Sequence, residues 1–185
     1  MSVPQNKSWA RIARRIRVPL GFVFAAVYLW LAQPSWLSLI AGVAVAGIGV
    51  SLRAAAAGHV QKNTELTTTG PYAYTRNPLY LGSFLIAAGF AIASRSLWVA
   101  FIAILLLAGI YWPVIRSEEE YLRTRFSEFD EYAQRVPRLL PRLKAAHAPA
   151  GVFSSALYRK HREYNALLGT VVMTAALMCK IIFHL

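Results

Sequence analysis

Uncharged stretches long enough to cross a bilayer alternate along this chain with short charged ones. A spanning helix needs about 20 mostly apolar residues, because the hydrocarbon core is about 30 Å thick. The first uncharged block runs from Val18 to Leu52, too long for one helix and enough for two. Gln33-Pro34-Ser35 lies in its middle. Proline lacks an N–H and pushes the residue before it out of the helical region, so this stretch predicts a tight helical hairpin. Trp30 and Trp36 flank the turn, as aromatic residues do at a membrane interface. Asn77–Ser94 and Ser96–Ile115, separated by Arg95, predict a second hairpin. A last apolar helix follows at Tyr164–Leu185, with Lys180 near its end, where the side chain can snorkel. The pattern is that of an all-α polytopic membrane protein with about five transmembrane helices.

The distribution of charge supports this reading. Of the 20 Lys and Arg residues, all but Arg95 and Lys180 fall on one side if the five spans alternate. Basic residues collect on the cytoplasmic side of membrane proteins, so the N-terminus is expected there and the C-terminus on the opposite side. The eight Asp and Glu residues share the basic side.

Composition then excludes several classes. The chain is 57% hydrophobic and 15% charged, with a formal net charge of +12. Disorder requires low hydrophobicity and is excluded. The charge alone would suggest a nucleic-acid binder, but it is a topology signal and an anionic-lipid contact here, so no nucleic-acid partner is expected. The single cysteine, Cys179, excludes a disulfide framework and a multi-cysteine zinc site. The four histidines show no metal-ligand spacing, so no metal is expected.

Two segments on the basic side are richer in polar and aromatic residues than connectors need to be. The first is His59–Gly82. Gly70-Pro71 breaks it with a turn, and Asn77-Pro78 reads as the N-cap and first residue of the third spanning helix. A helix start at the membrane surface favours anions. Tyr72, Tyr74 and Tyr80 surround it beside Arg76; an aromatic belt is the bland alternative. The second segment, Tyr111–Pro141, opens with Glu118-Glu119-Glu120 directly after an apolar span. Adjacent helical residues point about 100° apart, so these carboxylates face different surroundings. A carboxylate at the end of a membrane helix is costly unless it meets a partner or a cavity.

Together the two segments resemble the isoprenylcysteine carboxyl methyltransferase and phospholipid methyltransferase family of integral-membrane enzymes. The resemblance rests on GPYAYTRNPLYLG at Gly70–Gly82, the hairpin after it, Glu118-Glu119 with Leu122 and Phe126, and YAQRVPRLLP at Tyr132–Pro141. It implies S-adenosylmethionine as cofactor, in a cytoplasm-facing pocket lined by Gln61, Thr64, Leu66, Thr67, Tyr72, Arg76, Asn77, Pro78, Leu79 and Tyr80. It further implies that Arg116, Glu118 and Glu119 face the methyl acceptor, a lipid or prenylated substrate entering from the bilayer. The family usually has His where this chain has Asn77, which cannot titrate near pH 7 and cannot be a general base. The corresponding division is an N-terminal arm and hairpin (1–57), a cofactor-binding core (58–141), and a connecting segment with a C-terminal helix (142–185).

Two other readings compete. An NADPH-dependent reductase of the sterol-reductase type would carry an extra basic cluster for the 2′-phosphate. A non-catalytic polybasic membrane scaffold would leave Gln61, Asn77, Tyr80 and Glu118 pointing apart.

Overall fold

A computed structural model describes residues 7–61, 64–146 and 151–184. The described chain is all helical. Helix α1 is Lys7–Leu31 and α2 is Trp36–Ala57. Helix α3, Pro78–Ser94, is followed by a continuous helix α4, Leu97–Arg125. Short helix α5 is Phe129–Arg135, α6 is Ser155–Lys160, and α7 is Tyr164–Ile182. The five expected spans correspond to α1, α2, α3, α4 and α7. Three of them, α2, α4 and α7, are long and apolar enough to cross a membrane; Pro19–Leu31 and α3 are shorter apolar helices. The protein is a polytopic all-α membrane protein.

Two features differ from the sequence reading. The N-terminal arm is already helical from Lys7, with Pro19 inside the helix. Arg53, counted with the loop after the second span, lies within α2.

The first turn forms where Pro34 demands it. Ser35 and Ser38 cap α2 reciprocally: Ser38 N–H donates to Ser35 Oγ at 3.3 Å and Ser35 N–H to Ser38 Oγ at 3.0 Å. Such a box satisfies two otherwise orphaned donors at the helix start. Arg95 turns the chain between α3 and α4 in the left-handed region, at φ 52°. The two turns meet, since Gln33 N–H donates to Ser94 O at 2.8 Å.

Helices α2 and α3 pack backbone to backbone through small residues. A Cβ on Gly42 would strike the Gly89 carbonyl, and one on Gly49 would lie 2.5 Å from the Gly82 carbonyl. In lipid the hydrophobic effect does not drive helices together, so close van der Waals contact of this kind supplies the attraction. Tyr28, Leu39, Val99 and Leu177 then join α1, α2, α4 and α7 in one buried cluster.

Helix α4 carries a π-helical turn at Leu107–Tyr111, just ahead of Pro113. Proline removes an N–H and crowds the carbonyl one turn earlier, and a widened turn relieves that crowding. One inserted residue rotates everything beyond it by about 100°. The turn therefore sets which of Glu118, Glu119 and Glu120 points inward. After α5, the chain returns alongside the Ala73–Arg76 stretch: Arg76 N–H donates to Pro137 O at 2.9 Å and Arg142 N–H to Tyr74 O at 3.0 Å.

Candidate active site

Asn77, at the start of α3, is the first residue whose sequence role changes. It occupies the N-cap position, and Pro78 follows as the first helical residue, but its side chain does not cap the helix. Its amide Nδ2 instead donates to Glu119 Oε1 at 2.9 Å and to Arg138 O at 2.9 Å. The capping expectation fails because a buried carboxylate needs that donor more than a helix start does.

Glu119 is 4% exposed and sits at the centre of a charge network. Arg138 Nε donates to its Oε2 at 2.8 Å, and Arg76 Nε lies 3.5 Å from its Oε1. A buried carboxylate is tolerated when it is paired and hydrogen-bonded in this way. Both cations are held in place by aromatic rings: Arg76 by Phe129, with its Cζ 6.0 Å from the ring centre, and Arg138 by Trp112, at 5.4 Å. Arg76 Nε is buried without a hydrogen bond, the one side-chain atom of that kind among the described residues. Burial lowers the Arg76 pKa from its ordinary value, and Glu119 opposes the shift.

Glu118, one residue earlier, points to a different neighbour. Its Oε2 accepts from the Tyr80 hydroxyl at 2.7 Å. Among the described residues it has no cationic partner. Glu120 is exposed. The three adjacent acids thus have three environments, as their angular separation requires.

A cavity of about 690 Å³ opens between these groups. Gln61, Leu66, Thr67 and Tyr72 line it, as do Arg76, the Asn77-Pro78-Leu79-Tyr80 stretch, Glu118 and Glu119. Two expected residues lie elsewhere. Thr64 is exposed, and its N–H donates to Gln61 O at 3.3 Å. Arg116 is exposed and lies over Trp112 at 5.4 Å, outside the cavity lining. Position 116 is set a half-turn from Glu118 on α4, so a single helix cannot aim both side chains inward.

The cavity also contains groups that sequence reasoning missed. Arg53 and Glu163 form a bidentate pair, and Tyr111, Tyr132 and His161 contribute to the walls. Arg53 could have been found as a charge within an apolar span, which marks a functional or paired residue in a membrane. Tyr132, whose hydroxyl donates to Tyr72 O at 2.8 Å, carried no such signal. Burial, with the Glu118 charge adding to it, raises the Tyr72 hydroxyl well above its ordinary pKa, so it remains a neutral donor.

Gln61, Asn77, Tyr80 and Glu118 therefore share one cavity, contrary to the divergence a scaffold would have. Residues 51–128, which span most of this cavity lining, match the family model described as phospholipid methyltransferase. The chain is also 29% identical, over 74% of its length, to the protein-S-isoprenylcysteine O-methyltransferase of Schizosaccharomyces pombe. Over these stretches it is similar to the phospholipid and isoprenylcysteine methyltransferases. Higher identity over a shorter stretch links it to two metal-resistance proteins. These are the nickel-cobalt-cadmium resistance protein NccN of Alcaligenes xylosoxydans xylosoxydans, 46% identical over 45% of this chain, and the cobalt-zinc-cadmium resistance protein CzcN of Cupriavidus metallidurans, 42% identical over 45%. The matches cover 60% of the methyltransferase and 39% and 38% of the resistance proteins. No solved structure matches the chain. The family model ends before Phe129, Tyr132, His161 and Glu163, so the cavity is completed by residues beyond the matched segment.

Proposed function

We propose that this protein is an S-adenosylmethionine-dependent methyltransferase acting on a lipid-like or prenylated acceptor that reaches the cavity from the bilayer. The observation that carries the reading is Glu118: a carboxylate with no cationic partner among the described residues, held by Tyr80 in a cavity at the C-terminal end of a helix long and apolar enough to span a membrane.

The cavity fits the cofactor on three counts. Its volume lies within the usual range for small-molecule sites. Apart from the mutually neutralised Arg53–Glu163 pair, its carboxylates, Glu65, Glu118 and Glu119, outnumber its guanidinium group, Arg76, which suits a ligand carrying a sulfonium and an ammonium. The buried Arg76 Nε and the α3 start, which no side chain caps, offer donors for a carboxylate. Gln61, Leu66, Thr67, Tyr72, Arg76 and Asn77 to Tyr80 would hold the group. When bound, S-adenosylmethionine supplies an electrophilic methyl on a cationic sulfur.

The chain's own residues provide position, a dry wall and one proton acceptor. Orientation in a water-excluded site can supply most of the rate of such a displacement. An amine acceptor must lose a proton, and Glu118 is the group placed to take it. A carboxylate acceptor needs no base, and Glu118 would oppose it by charge. Asn77 fixes Glu119 and takes no part in proton transfer. The basic surface would face the cytoplasm and its anionic lipids, with the C-terminus on the opposite side.

Titration of S-adenosylhomocysteine into the detergent-purified protein tests the reading. Saturable binding by the wild type, weakened in Tyr72→Ala and Asn77→Ala, is the expected result. Absence of binding by a folded wild type, with NADPH binding in its place, would favour the reductase reading.

A further inference from the structure

Helix α7 is fastened to the rest of the protein at its two ends. Near its C-terminal end Lys180 Nζ donates to Leu29 O at 2.6 Å, and Leu177 is buried with Tyr28 and Leu39. At its other end Glu163, the residue before the helix, receives the Arg53 fork. Arg53 Nε donates to Oε2 at 3.0 Å, and Nη2 reaches Oε2 at 2.7 Å and Oε1 at 3.0 Å. Between the two fastenings Leu167, Leu168, Val171 and Val172 are exposed, which on a spanning helix is a lipid-facing surface. The same N-terminal end supplies His161, Glu163 and Asn165 to the cavity. The wall these three residues build is the one next to the bilayer.

Arg53 also reaches into the first turns of α3. Its Nη1 donates to Leu79 O at 3.2 Å and to the Ser83 hydroxyl. Leu79 neighbours Tyr80, whose hydroxyl holds Glu118. One guanidinium therefore ties the lipid-side wall to the helix that carries the reactive end of the cavity.

We propose that Arg53 and Glu163 form a clasp that sets acceptor binding, by fixing the start of α7 as the lipid-side wall of the cavity. The inference rests on the methyltransferase reading above. Both residues are positioning residues. Their charges neutralise each other, and the side chains are 23% and 12% exposed, so the pair is partly desolvated. Removing one partner leaves the other as an uncompensated, partly buried ion, which must move toward water. The Glu163 carboxylate has no partner besides Arg53 among the described contacts, so its loss frees the start of α7, while Arg53 keeps its own bonds to Leu79 O and Ser83 on α3.

The test uses the full chain in lipid nanodiscs, with S-farnesylated N-acetylcysteine and phosphatidylethanolamine as acceptor probes. Acceptor KM and kcat are measured for wild type, Glu163→Gln and Glu163→Ala, with S-adenosylhomocysteine affinity measured by calorimetry. Glu163→Ala is expected to raise acceptor KM at least about tenfold while kcat and cofactor affinity stay within about threefold. Glu163→Gln keeps the shape and one accepting oxygen, and should fall between the two. If Glu163→Ala does not fold, the Glu163→Gln ratio decides alone. Unchanged acceptor KM, or loss of cofactor affinity in step with it, overturns the clasp and leaves the methyltransferase reading intact. A folded wild type that binds no S-adenosylhomocysteine overturns both.

Discussion

The Asn77 carboxamide donates to the Glu119 carboxylate at 2.9 Å across 42 positions of sequence. This one bond joins the start of α3 to the C-terminal half of α4, and it fixes which carboxylate is structural. Glu119 is consumed by Asn77, Arg76 and Arg138; Glu118 is left for the cavity. The division of labour predicts opposite phenotypes for adjacent residues.

Glu119→Ala removes the centre of the network and leaves Arg76 and Arg138 without their counterion. Breaking a buried pair from one side costs about 3–5 kcal/mol. A large fall in thermal unfolding temperature in detergent is the expected outcome, accompanied by loss of cofactor binding. Asn77→Asp should be similarly harmful, since it places a second carboxylate 2.9 Å from the first.

Glu118→Gln should leave stability nearly unchanged and act on the reaction. General-base contributions run to about 10²–10⁴-fold, and a loss of that order in kcat/KM is expected with an amine acceptor. With a carboxylate acceptor the same substitution should be neutral or favourable. Parallel rates with the two acceptor classes separate these outcomes.

Arg116→Ala should be close to silent. The guanidinium lies over Trp112 on the exposed face of α4, outside the cavity. Activity and cofactor affinity within about twofold of wild type are expected, since isolated exposed contacts contribute little.

Gly42→Leu should separate α2 from α3, because even a Cβ there collides with the Gly89 carbonyl. Overpacking costs about 1–3 kcal/mol in ordinary cores, and backbone contacts yield less than side chains do. A lowered unfolding temperature with concurrent loss of cofactor binding checks this. Gly47→Ala, where a Cβ meets nothing within 4 Å, is the matched control.

The alkaline limb of stability carries a signature of Tyr72 and Tyr132. Burial raises both hydroxyls above the ordinary value of 10.0. The folded state therefore retains protons that the unfolded state gives up, and stability falls as pH rises above about 10. Thermal unfolding followed from pH 8 to pH 11 should show that fall, and Tyr72→Phe with Tyr132→Phe should flatten it.

The hairpins were legible in the sequence because their turns are written locally. Pro34 and the charged Arg95 interrupt otherwise apolar runs, and Ser35 supplies the cap. Most of the cavity lining was legible too, through the order of motifs rather than through any one of them. What failed was local inference where a distant partner decides. Asn77 obeys the capping rule by position and breaks it by side chain, because Glu119 claims its amide. Arg116 lies two residues from Glu118 in sequence, but helix geometry sets it on the outer face. Arg53 and Glu163, 110 positions apart, have no local pattern that pairs them. The π turn ahead of Pro113 rotates the acidic cluster, and helical periodicity assumes no such insertion.

The most direct test of the account is methyl transfer itself. Wild-type protein in proteoliposomes is incubated with S-adenosylmethionine labelled in its methyl group, in membranes containing phosphatidylethanolamine or an S-farnesylated cysteine. The account predicts label in the lipid-soluble fraction with the wild type and, where the labelled acceptor is the phosphatidylethanolamine amine, its loss in Glu118→Ala at unchanged protein stability. Folded, cofactor-binding wild type that labels neither acceptor nor any component of a total lipid extract would contradict it.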